Sequence, residues 1–173
     1  MEYNNIFLIG MMFSGKSTMG QLLSKKLEMK LCDTDSDLEE ILDMNISKIF
    51  KDIGEKKFRK LESTYFNEHT LKGNIIYSLG GGIILDINNH QILKERGKTI
   101  FLDCAIDELY NRALKANDFN ARPLIDKNDI RGSMIKLYQK RYSLYTQCAD
   151  IIVKSKSNNT TQLLNQIIAK LDE

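Results

Sequence analysis

Gly10-Met11-Met12-Phe13-Ser14-Gly15-Lys16-Ser17 follows the apolar run Ile6 to Ile9 and leads into a stretch of helical periodicity. These residues fit the pattern GxxxxGK[ST], in which glycines let the backbone curl until its amides turn toward phosphate oxygens. The helix that follows adds partial positive charge at its first turn. Lys16 supplies a point charge for the outer phosphates, and the Ser17 hydroxyl suits a magnesium ion bridging them. A glycine-rich turn with a surface lysine would share the composition, but the order strand, loop, helix favours a nucleotide site.

Outward from this loop, apolar runs recur at Ile75 to Leu79, Thr99 to Leu102 and Ile151 to Val153, with a weaker one at Lys30 to Cys32. Helical stretches separate them. Strands alternating with helices imply crossover units, and so an α/β fold with a parallel sheet covered on both faces. The expectation is a three-layer αβα sandwich around a five-stranded parallel sheet, forming one domain over residues 1–173. Ser36 and Glu39 have the spacing of a capping box, which predicts a helix start there. Gly54 suits the end of a short helix, and Phe58, Leu61 and Tyr65 form the stripe of a longer one from Glu55 to about Leu71. A last helix opens near Thr160 or Thr161, with Leu164, Ile167, Ile168 and Leu171 on one side.

The chain has 173 residues, 42% of them hydrophobic and 28% charged, with a single proline. This is the composition of a globular protein able to bury a core without disulfides or structural metal. A formal charge of +2, from 25 basic and 23 acidic residues, offers no chain-wide field for nucleic acid or an acidic membrane. Cys32, Cys104 and Cys148 fit neither a disulfide framework nor a CxxC motif and read as buried or spare thiols. His69 and His90 lack ligand-spaced partners and read as surface residues. No apolar run reaches membrane-span length and no basic-then-apolar leader is visible, so the expected location is the cytoplasm; a monomer is the expected state.

Asp33 and Asp35 follow the second strand candidate. In extended backbone, residues two apart point the same way, which would set both carboxylates beside the phosphates. One could support magnesium while the other accepts or orients the proton of an attacking hydroxyl. The alternative is a solvated turn before a helix, where aspartate is favoured for capping. Asp37 reads as a first-turn dipole residue. Arg141 interrupts the stripe Met134, Leu137, Tyr138 and Tyr145, and Arg59 sits beside Phe58. Two arginines converging on a crevice could hold a carboxylate, or each could merely cover apolar neighbours. Gly80-Gly81-Gly82 bares backbone at the end of the third run, as a ligand contact or a flexible turn. The polar stretch from Ala116 to Asp129 reads as a lid or an ordinary loop, with Arg122 able to reach the phosphates on closure.

The ordered set GMMFSGKST (10–18), DTD (33–35), FRKLE (58–62), GGG (80–82), RPL (122–124) and RYSLY (141–145) resembles the shikimate kinase family, from about Asn5 to about Val153. The resemblance implies the P-loop kinase fold and, as partners, ATP with one Mg2+ and shikimate. The implied reaction is phosphorylation of the 3-hydroxyl of shikimate, giving shikimate 3-phosphate and ADP in aromatic amino acid biosynthesis. It implies that Ser14, Gly15, Lys16, Ser17 and Thr18 hold ATP, with Ser17 and Asp33 on the metal. Asp35 would face the reacting hydroxyl, and Lys16 and Arg122 would act with it in catalysis. Arg59, Arg141, Gly80, Gly81 and Gly82 would hold shikimate, and a substrate-binding segment would span about 33–62. Arg122 would belong to a lid of about 112–129, with Arg112 and Asn158 near the adenine. The family commonly has glycine or alanine where this chain has Phe13, and threonine where it has Leu79. A kinase for another small hydroxy acid such as gluconate, and a nucleotide-binding relative without catalysis, remain as alternatives.

Overall fold

The computed structural model describes residues 4–117, 122–156 and 159–173. Strands β1 (Asn5–Ile9), β2 (Lys30–Asp33), β3 (Ile75–Ser78), β4 (Gly97–Asp103) and β5 (Ile151–Lys154) form one parallel sheet in the order β2-β3-β1-β4-β5. The phosphate loop therefore leaves the central strand, where the order of strands to either side reverses. Carboxyl ends of strands at such a point form the ligand crevice of open α/β sheets.

The strands are legible as apolar runs because both sheet faces are covered. One face packs Phe7, Ile9, Tyr77 and Phe101 against α4 (Ile87–Arg96), α5 (Ile106–Ala116) and α6 (Ile130–Cys148). The other packs Ile6, Leu8, Ile100 and Leu102 against α1 (Lys16–Leu27) and α7 (Thr160–Leu171). Each fully buried side chain of this size contributes roughly 1.5–3 kcal/mol. A smaller cluster, Leu38, Ile49, Phe58 and Tyr65, joins α2 (Thr34–Leu42) to α3 (Ile46–His69) and carries the far wall of the crevice.

Four local expectations change. The helix expected at Ser36 begins at Thr34, because the Asp33 side chain accepts from the Ser36 amide and becomes the N-cap. Glu39 instead accepts from the Ile46 amide at 2.7 Å, tying α2 to α3. Asp35 thus lies on the first turn of a helix rather than on strand backbone, so strand alternation is not what aligns it with Asp33. Asp37 takes hydrogen bonds from Cys32 Sγ and the Tyr65 hydroxyl, beyond any dipole role. On α3, Leu61 is exposed and Glu62 is 1% exposed, the reverse of the expected stripe. Gly54 breaks α3 as expected, with φ of 79° and ψ of 160°.

The three cysteines are free. His69 is exposed, whereas His90 is partly buried with Nε2 2.7 Å from the Ile84 carbonyl. Among the described residues no helix is long and apolar enough to cross a membrane.

Candidate active site

Helix ends explain where an anion would sit. Helices α2, α3, α4, α6 and α7 start at Asp33, Asn45, Asp86, Asp129 and Asn159, each accepting a first-turn amide with its own side chain. Helix α1 starts at Gly15, in a left-handed conformation with no side-chain cap and no acid in its first turn. Its first amides are left for an external acceptor, and the local dipole favours a negative one.

A cavity of about 590 Å³ opens there, lined by Gly15, Lys16, Ser17, Thr18, Asp33, Asp35, Arg112 and Arg122 among others. A second, of about 80 Å³, is lined by Arg59, Gly81, Gly82 and Arg141 together with Pro123 and Leu124. Lys16, Asp35 and Arg122 line both. The residues expected to act on phosphate and those expected to hold an acceptor therefore meet at one junction.

Lys16 Nζ donates to the carbonyls of Gly10 and Met11 at 2.9 and 3.0 Å. Burial lowers its pKa to about 8, against the pull of Asp35. Burial, with Asp33 nearby, pushes the Asp35 carboxyl above the usual range, although Lys16, Arg122 and Arg59 oppose the shift. A carboxylate raised in this way is a better proton acceptor near neutral pH. Ser17 Oγ lies 2.7 Å from Asp33 Oδ2 and 3.4 Å from Ser78 Oγ. One carboxylate and two hydroxyls form a hard-oxygen set suited to Mg2+, which completes its shell with water and phosphate. Ser78 stands one residue before the buried Leu79 and supplies a hydroxyl close to this set.

On the acceptor side, Arg59 Nη1 pairs with Glu62 Oε2 at 2.7 Å, and its guanidinium lies over the rings of Phe50 and Phe58. Burial opposes the charge on Arg59, but Glu62, Glu55 and Asp35 together outweigh it and raise the pKa, so the group stays charged. Burial pushes Glu62 up to about 7 despite that partner. Arg141 is 3% exposed, and among the described residues no carboxylate lies within ion-pair distance of it. Tyr145, one turn on, donates to the Gly81 carbonyl at 2.6 Å and fixes the glycine turn against α6.

Glu62 was not among the sequence candidates, although it lies three residues after Arg59, where a helix sets a counter-charge on the same face. Three candidates are engaged within the protein itself. Ser14 is fully buried, its amide donating to Met11 and its carbonyl accepting from Arg112 Nη1 and Ser155 Oγ, so it braces the loop instead of lining the cavity. The Gly80 amide is engaged by Thr34 Oγ1 at 3.1 Å, which leaves Gly81 and Gly82 on the cavity wall. Arg112 lines the larger cavity, but its guanidinium is tied to Glu108 and to the carbonyls of Phe13 and Ser14. Residues 112–116 complete α5, and Ile125 anchors the segment after Arg122 in the core. Asn158 lies outside the described residues.

A Cβ added at Gly82 would run into the Arg59 guanidinium, a flexible group able to move aside. Gly82→Ala is therefore expected to fold normally, displace Arg59 and raise the acceptor KM about tenfold without changing ATP affinity. Steady-state kinetics with each substrate varied in turn checks this.

The family model for shikimate kinase matches residues 12–172. A shikimate kinase of Bordetella avium (strain 197N) is 39% identical over 96% of this chain and 78% of its own. One from Persephonella marina is 36% identical over 96% and 98%. Among solved structures, a shikimate kinase from Acinetobacter baumannii in complex with shikimate superposes with a TM-score of 0.91 at 27% identity, covering 98% of this chain and 93% of that one. A model match over nearly the whole length and relatives this similar over almost all of this chain have one reading: the chain belongs to the shikimate kinase family.

Proposed function

We propose that the protein transfers the terminal phosphoryl group of ATP to the 3-hydroxyl of shikimate, yielding shikimate 3-phosphate and ADP. The observation that carries the acceptor assignment is Arg141, a buried guanidinium with no carboxylate in ion-pair distance among the described residues, lining the same small cavity as Arg59. A buried cation calls for an anion, and two guanidiniums suit a compact carboxylate. Shikimate brings that carboxylate on a ring whose hydroxyls can extend toward Asp35. The acceptor cavity, at about 80 Å³, holds only a few waters.

In the reaction the acceptor oxygen bonds to the γ-phosphorus as the bond to the ADP oxygen breaks, and the hydroxyl proton passes to the Asp35 carboxylate. The amides opening α1, with Lys16, cradle the phosphates. Ser17 and Asp33 would hold Mg2+, which when bound neutralises phosphate oxygens. Arg122, at the junction, stabilises charge on the transferring group.

Lys16 sets a pH dependence. Its ammonium is present below about 8 and lost above it. ATP affinity is expected to fall as pH rises through this value, by up to about tenfold per unit, with binding then taking up a proton. Calorimetry in buffers of different ionisation enthalpy measures both.

ADP release with shikimate and with gluconate tests the acceptor. Turnover of shikimate with little or none of gluconate is expected. Turnover of gluconate alone would assign a different hydroxy acid, and ATP binding without transfer to either would leave a non-catalytic relative.

A further inference from the structure

Phe13 lies within the phosphate loop at φ of 64°. This is a left-handed conformation that disfavours any residue with a Cβ. Gly10 and Gly15 take the other positive φ values of the loop, so Phe13 is the position where a side chain is kept in spite of the backbone. Such conformations persist where the surroundings hold them and cluster at ligand clamps. The Phe13 carbonyl accepts from Arg112 Nη1 at 3.2 Å, which pins the backbone. Its partly buried ring lines the larger cavity, and the Arg122 guanidinium carbon lies 5.4 Å from the ring centroid.

We infer that Phe13 is a positioning residue whose ring face seats the Arg122 guanidinium at the junction of the two cavities. The inference rests on the phosphate-facing role given to Arg122 above. An aromatic seat suits that role better than an acid would. A ring face attracts the guanidinium through its quadrupole and adds no negative charge to repel the incoming phosphates. A guanidinium already held also avoids much of the ordering cost of recruiting a mobile side chain at the moment of transfer.

The test is a kinetic cycle in the full chain, combining Phe13→Leu with Arg122→Ala, alongside Phe13→Tyr and Phe13→Gly. Phe13→Leu is expected to lower kcat by roughly three- to thirtyfold, the range for such a contact, while Phe13→Tyr, which keeps the ring face, recovers the rate. In the Arg122→Ala background Phe13→Leu changes kcat by less than about twofold. Phe13→Gly relieves the backbone, so its thermal midpoint should hold or rise while kcat falls as in Phe13→Leu. Equal losses in both backgrounds, or full kcat in Phe13→Gly, overturn the inference. A readout independent of turnover is the Arg122 Nε–Hε proton resonance, which ring current shifts upfield in the wild type and which returns downfield in Phe13→Leu. Coincident resonances in the two proteins overturn the seat. A wild type that phosphorylates no acceptor would instead remove the functional reading, and the resonance comparison would still decide the contact.

Discussion

Asp35→Asn is expected to lower kcat by about 10²- to 10⁴-fold, the usual contribution of a positioned general base. Both KM values should stay within a few-fold, because the interaction lost is made chiefly in the transition state. The amide keeps the shape of the carboxylate on the first turn of α2 but cannot accept the hydroxyl proton. The surroundings point to this role. A helix N-terminus ordinarily draws a carboxyl pKa down, yet burial and Asp33 hold Asp35 above the usual range. Initial rates of ADP release decide it, and an unchanged kcat would take Asp35 out of the mechanism.

The second large effect is on binding. Arg141→Met is expected to weaken acceptor affinity about a hundredfold or more, in line with the loss of one partner of a buried charge pair. ATP affinity should be unaffected, since Arg141 lines the small cavity and not the large one. Arg141→Lys is not expected to rescue, because a point charge cannot reproduce the planar fork. The same Arg141→Met change should raise the thermal midpoint of the free protein. It removes a desolvated guanidinium that has no carboxylate within ion-pair distance among the described residues, and fills the space with an apolar side chain. A protein that is more stable yet unable to bind acceptor is the signature of a residue kept for function. Calorimetric titration with shikimate and a thermal melt measure the two halves.

Sequence and structure agree where one physical rule dominates. The strands read as unbroken apolar runs because both faces of the sheet are buried, and the phosphate loop reads from its glycines, Lys16 and position. The sequence reading fails where two groups compete for one place. Asp33 and Ser36 both suit an N-cap, and Asp33 takes it because it stands where the strand ends, which frees Glu39 to reach α3. Leu61 and Glu62 compete for the inner face of α3. The acid goes inside because the half-buried Arg59 beside it needs a counter-charge, a demand that apolar periodicity cannot express. The positive φ of Phe13 is invisible in the sequence, since nothing in the residue type announces it.

The account stands on the two cavities being halves of one reaction site that meets at Lys16, Asp35 and Arg122. A crystal structure with ADP, Mg2+ and shikimate tests this most directly. The account predicts the diphosphate at the N-terminus of α1, the shikimate carboxylate between Arg59 and Arg141, and the 3-hydroxyl within hydrogen-bonding reach of Asp35. Shikimate bound elsewhere, or both guanidiniums turned to solvent with no carboxylate between them, would contradict it.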